Sequence, residues 1–309
     1  MGILSIILTV FGLSLFEVVS SIDNAIINAE VLATMSKRAR RWFLVWGMLF
    51  AVFLVRGLLP WVIIWFTSPS LGPIGALTAT FSNDPSVRHS IETSAPFLLI
   101  GGGIFLLFLF FHWLFMEQKN YCLPGEKFFH SKAVWFFAVV SLVLAAIVWL
   151  ALQIHPMMAF AAVIGSTAFF ITHGFKENAE KAEKELTNNN LSDLSKLFYL
   201  EIIDATFSID GVLGAFAFTL SVPLILLGNG LGALVVRELT MRGIDHIKKY
   251  AYLKNGAMYS IGILGCIMLS DSFGIHIPTW AAPLSTMAIV SYFFYRSKAH
   301  LDQCEPKVA

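Results

Sequence analysis

Long apolar stretches recur along this chain, at roughly 3–34, 42–67, 96–116, 134–153, 157–173, 197–219, 223–241, 256–272 and 279–296, with polar breaks between them. A hydrocarbon core about 30 Å thick is crossed by about 20 helical residues at 1.5 Å per residue, so each stretch is a candidate span. Hydrophobic residues make up 57% of the chain and charged residues 13%, against about 45–50% and about 25% in soluble domains. One buried core cannot absorb that excess, which makes lipid the solvent. The apolar runs lack the period of two that a membrane barrel needs. The expected fold is an all-α membrane protein of about nine transmembrane helices.

The same composition excludes other classes. A net charge of +1 leaves no basic surface for nucleic acid. Cys122, Cys266 and Cys304 have neither disulfide nor zinc spacing. Residues 1–16 lack the basic start and small-residue cleavage site of a signal peptide, so the first stretch is expected to be retained. At some 32 residues it would run to about 48 Å, which calls for a break, a tilt or a projecting end.

Basic residues are retained on the cytoplasmic side of a membrane. With nine spans, all of the 21 Lys and Arg except Arg56, Arg88 and Arg237 fall in one set of alternate loops or the C-terminal tail. This places the N-terminus outside and the C-terminus inside a cell inner (plasma) membrane. Residues 1–153 are read as a first membrane half of four spans, 154–173 as a linking fifth span, and 174–196 as a cytoplasmic helical linker. The second half is 197–296, followed by a tail at 297–309.

The first and sixth stretches carry related motifs. EVVSSIDN, from Glu17 to Asn24, lies over DATFSIDG, from Asp204 to Gly211, with two acids at identical spacing and a shared Ser-Ile-Asp. Downstream, Gly47 precedes Arg56 by the interval at which Gly228 precedes Arg237. An odd offset of five spans between the motifs makes the halves inverted-topology repeats, an architecture that places substrate near the midplane at the repeat interface. That interface gathers Glu17, Asp23, Glu201, Asp204 and Asp210.

Five acids face only two intramembrane cations, Arg56 and Arg237, which are expected to balance charge. The remaining acids are expected to lack a basic partner, and each acid costs about 2.5–3.5 kcal/mol to insert. A dication or protons must compensate. At 100° per residue, Glu17, Ser21, Asn24 and Asn28 share one helix face, while Asp23 points about 120° away. Glu201, Asp204, Ser208 and Gly211 likewise form a stripe that excludes Asp210. Either the helix unwinds near Ser-Ile-Asp, or each face serves a different partner. Carboxylate, amide and hydroxyl oxygens suit Mg2+, Ca2+ or Mn2+. His112 and His173 are expected to be helix–helix hydrogen-bonding residues.

EVVSSIDNAIINAEVL and EIIDATFSIDGV resemble the motifs of the TerC family of integral membrane proteins. Glu17, Asp23 and Asn24 match the family's first motif, and Glu201, Asp204 and Asp210 its second, with Gly211 standing where the family commonly has serine. The resemblance implies divalent metal handling, with Mn2+ export ahead of Ca2+ or Mg2+ and protons as candidate coupling ions, and no permanently bound cofactor. An alternative is a membrane metal-binding assembly factor that supplies exported proteins without net transport. No enzyme is expected: the Gly-x-Gly-Asp element of intramembrane aspartyl proteases is absent, as is a phosphate-binding Walker loop.

Overall fold

The computed structural model describes residues 2–47, 57–67, 69–78, 85–188, 192–242 and 248–304. Helices α1 (Ile3–Ser20), α2 (Ile22–Ala33) and the short α3 (Lys37–Trp42) lead into a π-helical turn at Phe43–Gly47. Two short helices follow, α4 (Leu59–Thr67) and α5 (Gly72–Thr78), then the long α6 (Pro85–Phe115), α7 (Pro124–His130) and α8 (Phe136–Leu152). The remainder is α9 (Pro156–Asn188), α10 (Asp193–Ala215), α11 (Val222–Arg242), α12 (Leu253–Ser272) and α13 (Ala281–Cys304). The described residues form no strand.

Among these helices, five are long and apolar enough to cross a membrane, over Ile3–Ser20, Glu92–Phe115, Ala133–Leu152, Pro156–Asn178 and Val222–Met241. The outer surface is apolar: on α8, Phe137, Leu142, Trp149, Leu150 and Leu152 all stand exposed. In water such a helix would sacrifice its hydrophobic surface for nothing, whereas lipid is its natural solvent. The protein is therefore a multi-pass helical membrane protein.

Two helix limits bear on the reading of the sequence. In the 174–196 segment α9 continues as helix to Asn188 without a break after the apolar run; the segment contains no proline, and Glu177/Lys181 and Glu180/Lys184 have the spacing that supports a helix. The overlong first stretch is interrupted at Ser21, beside Ser-Ile-Asp, whereas α10 runs unbroken through its copy of that tripeptide.

Glycines set how closely the helices pack. A Cβ on Gly165 of α9 would lie 2.1 Å from the Gly101 carbonyl oxygen of α6, so these two backbones are in direct contact. Interfaces of this kind replace the hydrophobic drive that is missing between helices in lipid.

The two motif helices run antiparallel, as successive contacts show. Lys196 Nζ donates to Thr34 Oγ1 at 2.9 Å, Asn24 Nδ2 donates to Asp204 Oδ1 at 2.5 Å, Glu17 Oε2 lies beside Gly211, and Phe16 packs on Gly214. The first partner descends along α2 and α1 while the second ascends along α10. Their ends are joined as well: the Ser36 N–H that opens α3 donates to Asp193 in the first turn of α10 at 3.3 Å.

Candidate functional site

The crossing of α1–α2 with α10 brings the two motifs together reciprocally. Glu17, first in its motif, faces Gly211, last in the other; Asn24, last in its motif, hydrogen-bonds Asp204, first in the other. The flanking glycines repeat the relation. A Cβ on Gly47 would meet Glu201, and one on Gly228 would meet Leu13, while the Gly228 carbonyl accepts from Ser14 Oγ at 2.9 Å.

Glu17 is 1% exposed. Ser21 Oγ donates to its Oε1 at 2.9 Å, a bond that the interruption at Ser21 leaves intact. The carboxylate sits in a slot between two glycines: a Cβ on Gly211 would come 3.0 Å from Oε2, and one on Gly232 of α11 would come 2.6 Å from the Glu17 Cβ. Glycine at 211 is thus the residue that fits; a larger side chain there would press on the Glu17 carboxylate.

Asp204 is buried at the same crossing, and the Ser208 hydroxyl beside it is engaged by the Asp204 main-chain carbonyl at 2.6 Å. A small cavity of 20 Å³ adjoins them, lined by Ser21, Asn28, Asp204, Arg237 and Thr240 among others. That volume holds about one water-sized sphere. Asn24 Oδ1 and Asn28 Oδ1 are buried on this side of α2 and have no hydrogen-bond partner among the described residues. Two bare amide oxygens in one place are costly unless something donates to them or binds them.

Arg237 Nη2 stands 4.0 Å from Glu201 Oε1, both side chains nearly buried. Its Nη1 donates to the Phe43 carbonyl, and the guanidinium lies 4.4 Å above the Phe43 ring. Arg237, expected to balance charge, thus stands beside the acid of α10 that precedes the motif. Arg56, its expected counterpart, lies outside the described residues.

Asp210 does not join this cluster. Its carboxylate forms an ion pair with Lys176 of α9 and lines a second, larger cavity of 580 Å³ with His112, Glu117, His173 and Lys254. Helical periodicity puts Asp210 and Asp204 on different stripes, and an unbroken α10 keeps them apart. The side chain of Asp23 lies outside the described residues; Val19 and Ile26, four residues before it and three after, line the larger cavity.

The expectation that surplus acids lack a basic partner is corrected at Asp210, because Lys176 supplies one. Lys176 follows the apolar run of α9, where the sequence alone puts it in the cytoplasmic loop. The helix nevertheless continues unbroken there, and a lysine stem is long enough to return its head to the bundle. Glu126, a fully buried acid outside both motifs, is structural: it accepts from Asn255 Nδ2 at 3.0 and 3.1 Å and from the Cys122 N–H at 2.7 Å.

Beyond the end of α6, Lys254 Nζ lies 2.8 Å from Glu117 Oε2 and His112 Nδ1 lies 3.6 Å from Oε1. Burial alone would raise the Glu117 carboxyl, but the His112 and Lys254 groups at its oxygens outweigh burial and hold it down to about 2. Among the described residues no three His, Cys, Asp or Glu side chains converge closely enough to hold a metal ion. The crossing is an oxygen lining closed on itself by Asn24–Asp204 and Ser21–Glu17.

Residues 22–300 match a family described as a protein of unknown function, DUF475. The chain belongs to the DUF475 family. The matched region takes in all of α2, Asp204, Asp210 and Arg237, and leaves out Glu17. A curated relative, described as the uncharacterized membrane protein YceF of Bacillus subtilis (strain 168), is 34% identical over 79 residues, which is 26% of this chain and 31% of that protein. The chain thus spans about a third of the length of the relative it matches. No solved structure matches the chain.

Proposed function

We propose that this DUF475 protein moves a divalent metal cation across the membrane, Mn2+ most of all and outward, through a site at the α1–α2/α10 crossing. One observation carries the proposal. The buried carboxylate of Asp204 and Asn28, whose amide oxygen has no partner among the described residues, line a space the size of a single water, and Glu17 and Asn24 are hydrogen-bonded to its lining residues Ser21 and Asp204. Hard and borderline dications prefer such an all-oxygen set, and the TerC resemblance of these same residues favours Mn2+. Residues from the two motifs would open the lining by exchanging the Asn24–Asp204 and Ser21–Glu17 hydrogen bonds for bonds to the cation. Asp23 and Glu201 belong to the same path, with Arg237 and Arg56 neutralising acids while no cation is present.

The proposed architecture is a pair of inverted repeats. The antiparallel motif helices and their reciprocal contacts support it, since a two-fold axis in the membrane plane would produce both.

Purified protein in sealed vesicles loaded with a Mn2+-sensitive dye supplies the test. Protein-dependent Mn2+ entry that is strongly reduced in Asp204→Asn is expected. Tight Mn2+ binding with no flux would favour the metal-delivery alternative, and neither flux nor binding would end the proposal.

A further inference from the structure

The larger cavity, between α6, α9, α10 and α12, has a chemistry unlike that of the oxygen-lined crossing. His112 reaches into it from the last turn of α6 and His173 from α9, with ring centroids 4.0 Å apart. Phe136 packs edge-on against His112, and Phe169 stacks flat on His173 with 4° between the planes. Both imidazoles are therefore held by aromatic walls. His112 is 9% exposed, and its Nδ1 has no hydrogen-bond partner among the described residues.

Each ring also faces one carboxylate at a distance just beyond hydrogen bonding. Glu117 Oε1 is 3.6 Å from His112 Nδ1, and Glu177 Oε1 is 3.6 Å from His173 Nε2. A neutral imidazole donates from one nitrogen, whereas a protonated one donates from both. A proton arriving on either ring would convert one of these near contacts into a charge-assisted bond.

The charges around the pair decide what the cavity lacks. Facing the rings are Glu117 beyond α6, Lys176 and Glu177 on α9, Asp210 on α10 and Lys254 on α12. From α8 comes Phe136, and from α1 and α2 come Val19, Ser20 and Ile26; the Asp23 side chain is outside the described set. Lys176 is engaged by Asp210 and Lys254 by Glu117. Among the described residues, three carboxylates thus face two ammonium groups. One positive charge balances these groups, and no three His, Cys, Asp or Glu side chains among the described residues converge closely enough to hold a dication in its place. Two rings this close also resist double protonation, because a proton on one repels a proton on the other.

We infer that His112 and His173 form a binding site for one shared proton, and that this proton is the coupling ion of the cation movement proposed above. The coupling role rests on that proposal; the shared-proton site does not. The α10 helix carries Asp210 in this cavity and Asp204 at the crossing, so one unbroken element links the two sites.

Proton counting tests the site without transport. Proton uptake by the full-length protein in detergent, titrated downward through the range where imidazole charges, is compared between the wild type, His112→Asn, His173→Asn and the double variant. Relative to the double variant, the wild type and each single variant should all take up one proton. Independent histidines would give two for the wild type and one for each single variant, which overturns the inference. Cobalt(II) ligand-field bands present in the wild type and lost in the double variant would make the pair a metal site and overturn it as well. In vesicles, the ratio of Mn2+ flux with an imposed pH gradient to flux without one should fall to one in the double variant; a ratio that stays at the wild-type value removes the coupling role. A wild type that moves no Mn2+ overturns the transport proposal and the coupling role together, and the proton count still decides the site.

Discussion

Asn24 Nδ2 donates to Asp204 Oδ1 at 2.5 Å between residues 180 positions apart, and both side chains are buried. The bond joins the last position of one motif to the first position of the other. Replacing Asp204 by Asn preserves its shape and removes its charge, and a charged partner in a hydrogen bond contributes about 1.5–3 kcal/mol. Cation flux in Asp204→Asn should fall by about ten- to a hundred-fold while the protein remains in the membrane fraction. Radioactive Mn2+ uptake normalised to inserted protein checks this, and undiminished flux would remove Asp204 from the site.

Gly232 fixes the approach of α11 to Glu17. A methyl group there would come within 2.6 Å of the Glu17 Cβ and 2.8 Å of the Ser14 carbonyl oxygen, and the backbone atom cannot turn aside. Overpacking of this kind costs about 1–3 kcal/mol. Gly232→Ala should lower the thermal midpoint in detergent, whereas Gly2→Ala, with nothing within 4 Å, should not. Equal midpoints for the two variants would contradict the close crossing.

Arg237 lies 4.0 Å from Glu201 with both side chains nearly buried. Removing one member of a buried pair costs about 3–5 kcal/mol because the other charge stays behind. Arg237→Ala should therefore reduce the folded yield strongly, and adding Glu201→Gln should recover part of it. Size-exclusion profiles of the detergent extract read both effects. No recovery in the double variant would mean that Arg237 acts through the Phe43 carbonyl alone.

Glu117 gives a pH dependence with a definite sign. Its folded carboxyl is held at about 2 against an ordinary value of 4.5, so it contributes stability that is complete above about 4.5 and is lost as pH falls through about 2. Between about pH 5 and about pH 3 the wild type should lose more thermal stability than Glu117→Gln. Melting curves at both pH values, in both proteins, are sufficient; parallel losses would show that the His112 and Lys254 contacts do not hold the carboxylate.

The proposed orientation predicts labelling by an impermeant thiol reagent. In a background lacking Cys122, Cys266 and Cys304, a cysteine at Phe273 should react on intact cells and one at Ser36 should not. Asn83 and Asn189, which lie outside the described residues, extend the pair, with reaction at the first only. Reaction at both Ser36 and Phe273 would invalidate the nine-span count behind the orientation.

The sequence by itself determined the solvent, because no aqueous fold can bury apolar stretches of that length and number. It also separated the acids by helix face: a period of 100° per residue put Asp204 and Asp210 on different stripes, and the structure places them in different cavities. Helical phase is a property of one chain segment, so it could be read without knowing any neighbour. What fills the space opposite each face depends on segments far away in sequence, and only the tertiary structure decided that. Lys176 reaches Asp210 because α9 continues past its apolar run and passes beside α10. Glu17 fits against Gly211 and Gly232 because two other helices leave it a slot, and His112 meets His173 because α6 and α9 touch at Gly101 and Gly165. Each is a contact between side chains of particular reach at a particular helix separation, and neither quantity is encoded in the periodicity of a single helix.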